Sequence, residues 1–300
     1  MELPTDVTIA VIGGSGLYAL DGITVIGQVN PLTPWGHPSD SITIATTPSA
    51  TKIAFLARHG RGHYLSPSEV PVRANIAALK KLGVQVILAL SAVGSLQEEI
   101  NPCDFVLPTQ IIDRTKGIRD STFFETGCVA HAMFSDPFDD ELADIVHKAA
   151  KEIIPDVTIH RNKTLVCMEG PAFSTRAESL MYRSWGADLI NMSAIPEAKL
   201  AREAEVAYQM LCMSTDYDCW KVEEDPVTVE AVMARMTVNG ANARKLLLAV
   251  IPILERALKA GSITSVGKLK GSMKYAVMTA KEKRNPDTVA KLDYILPGYY

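Results

Sequence analysis

Two aspartates two residues apart, in Ser214-Thr215-Asp216-Tyr217-Asp218-Cys219-Trp220, carry the strongest chemical signal in the chain. They follow the apolar run Ala207-Tyr208-Gln209-Met210-Leu211-Cys212-Met213, which reads as a buried strand. Residues two apart at a strand end point to the same side of the backbone. Carboxylates crowded together away from water repel, so one has its pKa raised and keeps its proton near neutral pH. Such a pair sets a proton donor beside an acceptor. The edge of adenine asks for that pattern, because its exocyclic amine donates and ring nitrogen N7 accepts. An acidic turn leading into a helix cap remains open from these residues alone, since Asp favours both positions.

Other strand ends carry polar groups suited to a small anion. Gly14-Ser15-Gly16-Leu17-Tyr18-Ala19, after the apolar run 7–12, fits G-x-G-x-x-[GA]. A dinucleotide site also needs an acidic residue ending the next strand, where this chain has Ala45-Thr46-Thr47. A turn whose amides and Ser15 hydroxyl hold a small anion fits better, with a purely structural turn as the alternative. Arg58-His59-Gly60-Arg61-Gly62-His63 suits an oxyanion such as phosphate: arginine can grip it bidentately and histidine can add a donor. A solvated loop is the other reading, and His59-x3-His63 finds no third ligand at metal spacing. Ser91-Ala92-Val93-Gly94-Ser95 is a third strand end with hydroxyls beside a glycine. In Glu169-Gly170-Pro171-Ala172-Phe173-Ser174-Thr175, Thr175 with Glu178 makes a capping box, and Phe173 offers a stacking surface for a heterocycle. No G-x-S-x-G elbow and no G-x-x-x-x-G-K-[ST] loop occurs, which leaves a serine hydrolase and a nucleotide triphosphatase unsupported.

The elements that must position these groups alternate along the chain. Strands are predicted at 7–12, 41–46, 52–57, 84–90, 164–168, 188–192 and 207–213, and helices at 73–81, 141–154, 175–185, from about 196, and 228–259. Near-continuous apolar strands separated by helices predict an α/β fold: a single-domain, mixed, mostly parallel β-sheet flanked by helices. Ligands in such sheets bind outside the carboxyl ends of the strands, so these polar strand ends should converge on one crevice. The tail from Gly261 is locally basic, with a helix expected around 271–281 and a surface extension over 285–300, beyond a catalytic domain of residues 1–284.

Composition agrees. The 300 residues are 47% hydrophobic, enough for a large core, and 30 basic against 34 acidic residues give a net charge of −4. That balance argues against broad nucleic-acid or anionic-membrane binding. No apolar stretch reaches the ~18 residues of a membrane span. The N-terminus lacks a signal core, and the 5 cysteines include no C-x-x-C pair. Free thiols in a reducing compartment follow, hence a cytoplasmic protein, with the nucleus also open to it.

Taken together, these segments resemble the methylthioadenosine phosphorylases of the trimeric purine nucleoside phosphorylase family. The resemblance rests on Gly13-Gly14-Ser15-Gly16-Leu17, Ala57 to Arg61, Ser91 to Leu96, Glu169 to Ser174, Trp185 to Ser193 and Thr215 to Trp220, in family order across roughly residues 7–260. Members acting on 6-oxopurines carry Asn, with a Glu elsewhere, to read the base; this chain carries the Asp pair. The resemblance implies that phosphate cleaves 5′-methylthioadenosine to adenine and 5-methylthioribose-1-phosphate, with phosphate as co-substrate and no metal or organic cofactor. It implies phosphate contacts from Ser15, Arg58, His59, Ser91, Ala92 and Ser193, a ribose contact from Met192, and a base pocket of Phe173, Ser174 and Thr215. Asp216 is assigned to N7 and Asp218 to the amine, the two acting in catalysis. A methylthio slot is implied from Val229, Val232, Met278 and His131, the histidine coming from a neighbouring subunit of a homotrimer.

Two departures stand out. Ser15, Ser91 and Ser193 occupy positions where relatives such as the mammalian enzymes have Thr, which keeps adenosine and 2′-deoxyadenosine open as substrates. The residues after about 284 also pass the family's usual end. Rival readings are a phosphorylase preferring adenosine, inosine or methylthioinosine, a nucleoside hydrolase on the same fold, and a nucleoside-binding protein without turnover.

Overall fold

The computed structural model describes residues 4–13, 23–223 and 228–300. Its strands are β1 (Ile9–Gly13), β2 (Thr24–Val29), β3 (Ile42–Thr46), β4 (Lys52–Ala57), β5 (Val86–Ser95), β6 (Phe105–Arg114), β7 (Ile159–Met168), β8 (Leu189–Asn191) and β9 (Ala207–Asp216). The helices are α1 (Val72–Lys81), α2 (Asp140–Ile153), α3 (Arg176–Ser184), α4 (Ala194–Glu203), α5 (Val229–Lys259), α6 (Thr264–Leu269) and α7 (Pro286–Leu292).

Side chains alternate across a strand, so a strand buried on both faces needs an apolar residue at nearly every position. The central strands meet that demand. Ala10 and Ile12 of β1, Ala54 and Leu56 of β4, and Met210 and Cys212 of β9 enter one core, under α1 and α4. Ile9, Val11, Ile53, Phe55, Leu211 and Met213 enter the other, under α2 and α5. Three layers result, with the sheet in the middle.

The sheet runs β2-β3-β4-β1-β5-β8-β7-β6-β9, and β9 also pairs with β5, closing the second half into a five-stranded ring. Five of the nine strand pairings are parallel, so the sheet is mixed with only a small parallel majority. Strands β4, β1, β5 and β9 are mutually parallel, which brings their carboxyl ends to one side. A register shift between Val93 and Gly94 bends β5, which pairs with β9 along its length and with β8 at Gly94 and Ser95.

Several expectations need correction. β5 continues to Ser95, so Ser91 stands inside the strand rather than beyond it. No helix spans 271–281: the chain there is turns and an isolated bridge between Ala130 and Val277. Residues 285–300 are no mere surface extension, because Leu292, Ile295 and Leu296 are buried in the first core. Tyr299 donates to Glu205 Oε2 at 2.9 Å, and Tyr300 to the Met273 carbonyl at 2.8 Å. Strands β2 and β6 went unread. Among the described residues, no helix is long and apolar enough to cross a membrane.

Candidate active site

β4 is buried to its end and delivers Arg58 and His59 to the crevice, where Arg58 N–H donates to the Gly13 carbonyl at 2.9 Å. The Arg58 guanidinium turns back into protein. Its Nε and Nη2 donate to Glu197 Oε2 and Oε1 at 2.8 and 2.9 Å, and Nη1 to the Leu90 carbonyl at 2.8 Å. Tyr208 also donates to Glu197, at 2.7 Å. The bidentate grip expected for an oxyanion therefore closes on a buried carboxylate, and Arg58 meets the cavity with another edge. A buried pair of this kind needs such full hydrogen bonding to offset its desolvation.

His59 Nδ1 donates to the Leu65 carbonyl at 2.9 Å, because a carbonyl can only accept. Burial, reinforced by the Arg58 charge, pushes its pKa down to about 4, so the ring is neutral at pH 7. Nε2 is then an acceptor, not the donor expected from sequence. His63 stacks on the ring at 4.4 Å.

Three polar side chains meet between β5 and β8. Ser91 Oγ lies 3.1 Å from Ser193 Oγ, and Asn191 Nδ2 donates to Ser91 Oγ at 3.1 Å. Ser193 precedes α4, in which Ile195 is extended at φ −109° and ψ 131°, so the regular helix begins only beyond Ile195. Two hydroxyls and an amide gathered here can each donate to an anion. Ser15, assigned to the same task, lies outside the described residues.

The base side is built from β7 and β9. After β7, Phe173 stands at the rim, 47% exposed, while the Thr175–Glu178 capping box fixes the start of α3. Gly170 lets this loop approach Met192: at its φ of +69° a Cβ would come within 2.4 Å of Met192 Sδ. Strand alternation does not place the two aspartates together, since Asp216 ends β9 and Asp218 lies beyond it at φ +51°. A local turn joins them, with Asp218 N–H donating to Asp216 Oδ1 at 2.8 Å. Thr215 Oγ1 donates to Asp216 Oδ2 at 2.6 Å. Burial raises the pKa of both carboxyls, and at Asp218 the neighbouring Asp216 charge adds to it. Asp218 Oδ2 makes no well-formed hydrogen bond among the described residues, although the Ser179 hydroxyl acts on this carboxyl and opposes its upward shift. Gly94 leaves the room for this pair, for a Cβ there would sit 3.1 Å from Asp216 Oδ1 and 3.4 Å from Asp218 Cβ.

One cavity of about 960 Å³ joins these groups. Arg58, His59, Ser91, Ala92 and Ser193 line it, as do Met192, Phe173, Ser174, Thr215, Asp216 and Asp218. Val229 and Val232 reach it from the start of α5, beside Met233 and Met236. His131 and Met278 do not line it; they flank the Ala130–Val277 bridge, and both are exposed. Sequence reasoning missed Gly94, Glu197 and Arg119 as site-builders. Gly94 and Asn191 stood within the quoted segments, but a partner for Arg58 139 residues away had no local signal.

A mixed-sheet crevice that holds both a hydroxyl cluster and a raised-pKa acid pair defines a class, and the sequence supplies it. The chain belongs to the phosphorylase superfamily, whose family model matches residues 8–252. Within that superfamily it groups with the S-methyl-5′-thioadenosine phosphorylases. It is 54% identical over 297 residues to the one from Schizosaccharomyces pombe, covering 97% of this chain and 96% of that one. Against the one from Yarrowia lipolytica it is 56% identical over 302 residues, covering 98% and 94%. Among solved structures, a methylthioadenosine phosphorylase sourced from an antarctic soil metagenomic library superposes with a TM-score of 0.87 at 43% identity, over 98% of this chain and 100% of that one. The Schistosoma mansoni methylthioadenosine phosphorylase in complex with adenine superposes with a TM-score of 0.84 at 32% identity, over 91% and 100%.

Proposed function

We infer that this chain cleaves 5′-methylthioadenosine with phosphate, giving adenine and 5-methylthioribose-1-phosphate. The observation that carries the reading is the pairing, within one cavity, of half-buried Asp216 and buried Asp218 with the Ser91–Ser193–Asn191 cluster. Phosphate sits at that cluster, beside Arg58 and His59, with Ser15 assigned to it by the family resemblance alone. Ribose lies over Met192, and adenine lies between the Phe173–Ser174 loop and the Asp pair. Asp218 Oδ2 accepts from the exocyclic amine. Protonated Asp216 donates to N7.

The C1′–N9 bond breaks with its electron pair passing to the purine, which the N7 proton neutralises. A phosphate oxygen then closes the new bond at the cationic C1′. General acid help of this kind contributes ~10²–10⁴-fold. Phosphate is a co-substrate, and this scheme requires no metal or organic cofactor.

Val229 and Val232 form one wall of the methylthio slot. His131 and Met278, outside this chain's own cavity, serve the cavity of a neighbouring copy in a homotrimer. Localisation to the cytoplasm, with the nucleus also open, goes with this reading. Adenosine is a second substrate on the same chemistry, in line with the Schistosoma mansoni relative described as an adenosine/methylthioadenosine phosphorylase. The test is adenine or hypoxanthine release from methylthioadenosine, adenosine and inosine, each with and without phosphate. Phosphate-dependent release from the two adenine nucleosides, and little from inosine, is expected. Preference for inosine would overturn the base assignment.

A further inference from the structure

Behind the cavity, Arg119 makes contacts that the reaction scheme leaves unused. Its side chain is 4% exposed. Nε donates to Glu169 Oε1 at 2.8 Å and lies 3.2 Å from Ser68 Oγ. Nη1 donates to the Met192 carbonyl and the Ile195 carbonyl, each at 2.7 Å, and Nη2 to the Glu169 carbonyl at 2.5 Å. One guanidinium thus joins two backbone segments. The first leads from Glu169 into the Phe173–Ser174 loop; the second carries Met192 and Ser193 into α4.

These segments touch across Gly170 and Met192 on the cavity side, as the 2.4 Å approach of a Gly170 Cβ to Met192 Sδ indicates. The fork geometry of arginine is what reaches several acceptors in two directions; a lysine ammonium cannot span them. The anchoring is unequal. Glu169 keeps other partners, the Lys116 N–H at 2.6 Å and the Ser68 hydroxyl, and α3 is tied to the Asp218 turn through Arg176 Nε and the Cys219 carbonyl at 3.2 Å. The segment after Met192 is held otherwise through Ser193 Oγ, 3.1 Å from Ser91 Oγ and 3.5 Å from Asn191 Nδ2, and through Ile195 N–H to Cys167 Sγ at 3.3 Å. Among the described residues no other donor reaches the Met192 carbonyl.

We propose that Arg119 is a positioning residue for phosphorolysis, holding the ribose- and phosphate-bearing segment Met192–Ser193 in register with the base-bearing loop through its bond to Glu169. Its removal loosens the sugar and phosphate side while the base side stays anchored. The reacting atoms then lose alignment although adenine still binds, and a misplacement of ~1 Å costs roughly 10²-fold in rate. This inference rests on the reaction proposed above.

The experiment uses the full chain and compares wild type with Arg119→Lys and Glu169→Gln. Adenine affinity is measured by calorimetry, alongside kcat and KM for methylthioadenosine and phosphate. Arg119→Lys is expected to lower kcat at least thirtyfold while adenine affinity stays within threefold. A kcat within threefold of wild type overturns the proposal, and so does adenine affinity falling in step with kcat. If Arg119→Lys does not fold, Glu169→Gln decides, with at least a fivefold drop in kcat at unchanged adenine affinity expected and an unchanged kcat contradicting. Failure of the wild type itself to consume phosphate would strike the reaction, not the clamp.

Discussion

Asp216 and Asp218 hold their shared position through one backbone hydrogen bond, and desolvation raises the pKa of both carboxyls. A carboxyl whose pKa is raised on folding keeps its proton to higher pH than in the unfolded chain. Its contribution to stability is present below the unfolded value and lost as pH rises through the folded one. For catalysis the sign is the same: the acid is competent while protonated, so kcat should fall on the alkaline side as Asp216 ionises. Asp216→Asn keeps a donor amide but supplies no proton, and kcat is expected to drop at least ~10²-fold, with the alkaline limb gone from the residual activity. A mutant within threefold of wild-type kcat, with chemistry shown to limit the rate, would remove Asp216 from the acid role. His59 differs, for with its pKa near 4 it stays neutral from pH 5 to 8 and adds no limb there. At this scale the sequence revealed the residue types and misjudged how some are used. The Asp pair was legible, yet the reason for its meeting is the turn, not the strand, and the Arg58 fork serves Glu197.

Between residues and molecule stand the elements that aim these groups. The apolar strands β1, β4, β5 and β9 were legible because each is buried on both faces, which forces a near-continuous apolar run. β6 was not, because Pro108 interrupts it and proline argues against an inner strand; the register shifts around Pro108 show how the sheet absorbs it. The carboxyl-terminal residues misled for a different reason. Leu292, Ile295 and Leu296 have the i, i+3, i+4 spacing of a helical face, but α7 is only 7 residues long and follows a basic stretch that reads as surface. Because Leu292 is fully buried in the main core, Leu292→Ala is expected to cost about 2–5 kcal/mol. Urea unfolding measures this, and a loss within 0.5 kcal/mol would return the segment to the status of an extension.

At the scale of the whole molecule, a three-layer sandwich brings distant parts of the chain to one crevice, and the crevice opens beneath the start of α5. The convergence was legible from strand polarity alone, since parallel strands put their carboxyl ends on one side. His131 and Met278 stand outside this chain's cavity, and the role proposed for them calls for a neighbouring copy. A homotrimer that lends His131 to its neighbour predicts three copies per particle by light scattering. It also predicts that His131→Ala lowers kcat/KM for methylthioadenosine while leaving KM for phosphate within twofold. A monomer with wild-type activity would refute that assignment. The claim on which the whole account turns is phosphate as the attacking group. Its most direct measurement is adenine release from methylthioadenosine against phosphate concentration, with the sugar product identified by phosphorus NMR. Release is expected to saturate with phosphate, with a sugar-1-phosphate signal equal to the adenine formed. Equal release without phosphate, with free methylthioribose as the product, would contradict it.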